Sequence, residues 1–145
     1  MFLAEANPLN ASELIFPTLE CIHIAGFAIL VGTIAIVDFR LLGVGMRQQT
    51  SAELARDLGP WTLFGLVLML FSGPLMFSSD PDMYYLNRSF QIKMALLLVA
   101  IIFNYTIHRR VALKGASPPK SKLVACVSML LWVGVIFGGI FIAFI

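Results

Sequence analysis

The sequence predicts an all-α integral membrane protein, with four transmembrane helices in an up-down-up-down bundle that forms a single membrane domain over residues 1–145. Three observations carry that expectation. Hydrophobic residues make up 59% of the chain and charged residues 12%, about half the charge of an ordinary soluble domain. The apolar residues come in long runs, not in a 3.6-residue stripe, which is the pattern of helices with lipid on one side and protein on the other. The basic residues gather in alternate links between those runs.

The first span, 17–43, organises the rest. Its middle, 21–37, has no Asp, Glu, Lys or Arg, yet it carries His23; Glu20 precedes that run and Asp38 and Arg40 follow it. An ionisable group inside a spanning helix costs roughly 3 kcal/mol or more, so it marks a functional site or a paired structural one. Upstream, Asn10 and Glu13 have capping-box spacing, which predicts a short interfacial turn over 11–16, and Pro17 suits a first helical turn. Residues 1–10 contain an acid and no Lys or Arg, so the basic region of a cleavable leader is not expected.

A polar connector over 43–59 holds Arg47 and Arg56 and can form a short surface helix at 51–58. The second span covers 60–77, with Trp61 as an interfacial anchor and Gly73-Pro74 expected to kink or loosen its far end. In the following loop, Asp80-Pro81 starts a helix, and Tyr84 and Tyr85 fit an interface. The third span occupies 89–108 with Lys93 near one end. The link after it is basic and stiffened by Pro118-Pro119, and the fourth span, 123–145, is uncharged.

Orientation follows from the cations. Arg40, Arg47, Arg56, Arg109, Arg110, Lys114, Lys120 and Lys122 fall at one membrane face, and Arg88 and Lys93 at the other. That asymmetry predicts a multi-pass protein of the bacterial inner membrane with both termini periplasmic. Gly134 and Gly138 form a GxxxG pair, which serves either packing within the chain or a homodimer seam.

Depth sorts the polar residues into two layers. Glu20, His23, Lys93 and Met94 lie in the periplasmic half, while Asp38, Arg40, Asn104, His108, Arg109 and Arg110 lie in the cytoplasmic half. His23 and His108 differ in height by about 20 Å at the rise of an α-helix, so one metal or haem iron cannot take both from one chain. Cys21 and Cys126 sit at opposite ends and cannot form a disulfide.

Glu20 and His23 are three residues apart and share a helix face, so the carboxylate can orient a metal-bound imidazole. Met94 starts a neighbouring helix at matching depth and can supply a thioether opposite His23, a known pairing for haem iron. Trp132 is either core or a stacking partner for a buried cofactor. The plainer account is a hydrogen-bonded His–Glu pair with Lys93 reaching to the headgroups. In the other layer, a salt-bridged latch from Asp38 to Arg109 or Arg110 is the simplest account, and a proton relay is the alternative.

The stretches HIAGFAILVGTIAIVDFRLLG, GPWTLFGLVLMLFSGPLMF and FQIKMALLLVAIIFNY together resemble an uncharacterised family of small four-helix bacterial inner-membrane proteins. The likeness runs from His23 to Asn104, through Gly32, Asp38-x-Arg40, Gly73 and Phe90-x-x-Lys93. A fainter likeness extends to CopD-type copper-resistance membrane proteins and small b-type cytochromes, which also place histidines in apolar helices. The resemblance implies a membrane fold and assigns no activity.

No Walker loop, H-E-x-x-H or other catalytic motif is present and the loops are short, so an independent enzyme is not expected. No basic patch interleaved with aromatics points to nucleic acid. Three classes stay open, with the lipid bilayer as common partner. The first, narrowly favoured, is a redox-associated subunit binding b-type haem through His23, with Glu20, Met94 and Trp132 around it. The second is a small transporter or metal/proton permease at Glu20 and His23. The third is a non-catalytic accessory or anchor subunit of a larger membrane complex.

Overall fold

The computed structural model describes residues 7–144. Residues 1–6, on which most of the leader expectation rests, and Ile145, the last residue of the expected fourth span, lie outside the described residues. A 3-10 turn at Pro8–Asn10 is followed by α1 (Ile15–Leu42), α2 (Ser51–Ser79), α3 (Pro81–Tyr85), α4 (Arg88–Lys114) and α5 (Pro118–Phe141). Helices α1, α2, α4 and α5 are each long and apolar enough to cross a bilayer. They follow one another around the bundle: α1 packs on α2 and α5, α4 packs on α5, and α2 meets α4 through Arg109–Lys114. This is the expected four-helix membrane fold.

Several boundaries move, each for a physical reason. Helix α2 starts at Ser51, because Thr50 Oγ1 accepts from the Glu53 N–H at 3.1 Å while Glu53 Oε2 accepts from the Thr50 N–H at 2.8 Å. The expected surface helix and second span are therefore one helix, and Pro60 and Pro74 both lie inside it. Continuity through proline is favoured in a bilayer, where broken backbone hydrogen bonds find no water. Helix α4 runs past 108 to Lys114 because Val111 and Ala112 are buried with Leu41, Leu54 and Ala125. The supposed solvated link shrinks to residues 115–117, and Pro118 and Pro119 occupy the first turn of α5. The box from Asn10 does not start a helix; Asn10 Nδ2 donates to the Ser79 carbonyl at 3.1 Å, and Asn7 Nδ2 to that of Ser78 at 2.7 Å.

Small residues set the closest approaches. A Cβ on Gly65 would lie 2.6 Å from the Gly26 carbonyl oxygen and 2.7 Å from the Leu30 nitrogen, so α1 and α2 touch backbone to backbone. Gly134 and Gly138 face α4 of the same chain, where an added Cβ would meet Leu96 Cδ1 and Lys93 Cβ, each at 3.0 Å. Around these contacts Leu30, Ile34, Leu66, Leu97, Trp132 and Val135 fill the centre. At the end carrying the chain termini, the rings of Phe77, Tyr84 and Phe90 close the bundle, with Phe77 and Phe90 stacked at 5.7 Å. Burial, then the Glu20 and Asp80 carboxylates, push the Tyr84 phenol above its usual range. Outward-facing Leu63, Val67, Phe71, Leu98, Leu130 and Phe137 give the apolar surface that a bilayer solvates.

Candidate functional site

Both polar layers exist, and the bundle assembles each with partners that the sequence did not suggest. Near the termini, His23 on α1 reaches across to α2. The Ser72 hydroxyl donates to the Leu68 carbonyl at 2.7 Å, which leaves its oxygen to accept from His23 Nδ1–H at 2.8 Å. The ring lies over Gly73, where an added Cβ would sit 3.4 Å from Cε1. Lys93 on α4 is turned inward over Gly138 and Gly139, and its charge is felt at His23.

This layer does not fit a haem held by His23 and Met94 of one chain. Met94 is 45% exposed on the outer surface of α4, because Lys93, the residue before it, takes the inward position. Glu20 is exposed and its carboxylate is felt at Tyr84; the imidazole is oriented by Ser72 instead. Trp132 is buried in the core with its ring tilted against Phe27, centroids 6.4 Å apart. Beside Gly26, Gly65, Gly134 and Gly138 the space is filled by neighbouring backbone or side chains. Among the described residues, no group of three or more His, Cys, Asp or Glu side chains could hold a metal ion. Cys21 and Cys126 are free and exposed.

The second layer lies deeper toward the 43–50 and 115–117 links. Asp38 on α1 is 1% exposed, and the expected arginine latch is replaced by a different pair. His108 Nε2–H on α4 donates to Asp38 Oδ1 at 2.6 Å, and the Ser128 hydroxyl on α5 donates to Oδ2 at 2.8 Å. One carboxylate thus ties three helices together. Ser, His and Asp are the residue types of a nucleophilic triad, but here serine donates to the carboxylate and never meets the imidazole, so the hydroxyl is not activated. Arg40 Nε donates to the Gln49 carbonyl at 2.6 Å, Arg109 turns toward Gly59 on α2, and Arg110 is exposed.

The residues that carry this layer on α4 form a π-helical turn, Asn104–His108, set inside an otherwise regular helix. Such single-turn π segments occur frequently at functional sites. Beside it, a cleft of about 30 Å³ between α1, α2 and α4 is lined by Thr33, Thr62, Asn104, Tyr105, His108 and Arg109, among others. Thr33 and Thr62 share a hydrogen bond of 2.7 Å on its wall. On the other side of Asp38, a cavity of about 170 Å³ between α1 and α5 is bordered by Val31, Ile34, Met129, Trp132 and Ile136. Asp38 thus borders the apolar cavity directly and reaches the cleft through His108. Sequence reasoning missed Ser72, Ser128 and Thr62 as partners, because a lone hydroxyl in an apolar run carries no pattern.

The chain belongs to a family of unknown function, DUF6644, whose sequence profile matches residues 13–145. Comparisons with curated proteins and with solved structures found no match, so the fainter likeness to CopD-type proteins and cytochromes has no support there.

Proposed function

We propose that the protein is an accessory subunit of a larger complex in the bacterial inner membrane, with both termini periplasmic, and that it contributes a buried proton-binding pair, Asp38 and His108. The observation that carries this reading is the 2.6 Å bond between His108 Nε2 and Asp38 Oδ1 inside the bundle. A packing role alone would be met as well, or better, by apolar side chains of similar volume, since desolvating an ionic pair costs several kcal/mol. An intramembrane acid paired with an imidazole suits a proton that moves between two fixed atoms. Ser128 from α5 meets the pair directly, and Thr33, Thr62, Asn104, Tyr105 and Arg109 line the cleft that His108 borders. The apolar outer faces of α2 and α4 offer surface to lipid and to partner helices alike. A cation site at Glu20 and His23 has less support, because Glu20 faces outward and Ser72 holds the imidazole.

Infrared difference spectra against pH, recorded on the protein in lipid nanodiscs, test the reading. The expected result is a carboxyl band that Asp38→Asn removes and His108→Gln shifts, while His23→Gln leaves it in place. Superimposable spectra for the wild type and Asp38→Asn, over the whole pH range in which both stay folded, would overturn it.

A further inference from the structure

The cleft beside His108 holds more unspent hydrogen-bonding capacity than a packing seam requires. Asn104 is 6% exposed, yet among the described residues its carboxamide makes no side-chain hydrogen bond, and its amide borders the cleft. His108 is 4% exposed; Nε2 is committed to Asp38, and Nδ1 has no partner among the described residues. Arg109 lines the same space with no carboxylate partner among those residues, and a Cβ on Gly59 would lie 3.2 Å from its Nη1. Among the described residues no fully buried side-chain nitrogen or oxygen lacks a partner, so the unpaired atoms of these three side chains are open to solvent or to a ligand. The acid that meets His108, Asp38, is occupied by that imidazole and by Ser128.

The π turn is what brings the three together. On a regular α-helix, residues five apart lie about 140° from each other, so Asn104 and Arg109 would point to different neighbours. Bonding from i to i+5 closes the turn over five residues and swings Arg109 back above Asn104, with His108 beside both. The one full charge on the assembled wall is the Arg109 guanidinium, beside the Asn104 amide donor, with no acid among the residues lining the cleft. A guanidinium fork matches the paired oxygens of a phosphate or carboxylate, and it repels a metal cation.

We propose that this cleft binds a phosphate oxyanion, held by Arg109 and Asn104. A volume of about 30 Å³ admits one or two oxygens of the group while the rest stays at the mouth. The phosphate comes either from an anionic lipid headgroup or from inorganic phosphate in solution. Its setting suits both sources, since Arg56, Arg110 and Lys114 lie at the same end of the bundle. The site stands on Arg109 and Asn104 whether or not Asp38 exchanges a proton, so it holds or fails apart from the proton-binding reading.

The full-length protein in detergent is titrated with inorganic phosphate by equilibrium dialysis. In parallel, protein from nanodiscs of phosphatidylcholine with and without phosphatidylglycerol is examined by native mass spectrometry for retained lipid. Arg109→Gln and Asn104→Leu should each weaken binding about tenfold or more, as expected for losing a hydrogen bond to a charged group. Arg110→Gln, which removes the adjacent exposed charge, should change it less than about twofold. Phosphate uptake in detergent identifies a soluble oxyanion, and retention of phosphatidylglycerol without phosphate uptake identifies a headgroup; either supports the site. Should Arg109→Gln fail to fold, Arg109→Lys keeps the charge, loses the fork and is expected to bind more weakly than the wild type. The proposal is overturned if the wild type retains neither probe, if both folded Arg109 variants bind like the wild type, or if Arg110→Gln loses as much as Arg109→Gln.

Discussion

Gly65 and Gly32 are both helical glycines in apolar spans, and their surroundings give them different work. Around Gly32 nothing lies within 4 Å of an added Cβ, whereas at Gly65 the same carbon would enter the backbone of α1. Gly65→Ala must therefore push α1 and α2 apart and should destabilise by about 1–3 kcal/mol, while Gly32→Ala should fall within about 0.5 kcal/mol of the wild type. Thermal unfolding in nanodiscs distinguishes them; equal shifts would mean that the helix contact is not rigid. Asp38 supplies a second residue-scale prediction. Removing His108 as His108→Ala leaves a carboxylate with one partner in a closed interior and should cost about 3 kcal/mol or more. Adding Asp38→Asn to that background should restore part of the loss, because the uncompensated charge goes with it. No recovery in the double variant would show that the two residues are not coupled.

The elements carry devices that no single residue reveals. Helix α2 owes its early start to the Thr50–Glu53 box, so Thr50→Ala should cost about 1 kcal/mol, read as a lower unfolding midpoint with the span itself intact. In α4 the π turn behaves as one residue inserted into a regular helix. Deleting the exposed Thr106 should return the segment to α geometry with helicity retained, measured by circular dichroism. In the shortened helix Asn104 and Arg109 stand four apart and keep one side, so phosphate binding should be retained within about threefold. Loss of binding by a folded deletion variant would show that the wide π turn itself, and not the shared face alone, shapes the site.

For the whole molecule, the four apolar helices and the outward apolar surface fit a multi-pass membrane protein. Orientation rests on the distribution of cations, which predicts that the 43–50 link is cytoplasmic and α3 periplasmic. Single cysteines at exposed Gln48 and Met83, in a background with Cys21 and Cys126 replaced, give the measurement. In intact cells an impermeant thiol reagent should label position 83 and spare position 48. The reverse pattern would invert the topology and move the phosphate site to the other face.

The number of spans, their approximate limits and the two depths of polar residues were legible in the sequence. Run length and rise per residue are properties of one dimension, and a bilayer about 30 Å thick reads them directly. Which way each helix turns about its own axis was decided by the tertiary structure. In water an amphipathic stripe marks the buried face, but here lipid and core are both apolar, so the pattern does not separate them. Met94 therefore looked like a ligand for His23 and faces outward, while its neighbour Lys93 takes the interior. Asp38 looked like a partner for arginine and met His108 and Ser128 instead. The π turn shifts the facing of everything after it in α4, and nothing in the run of apolar residues around Asn104 marks it.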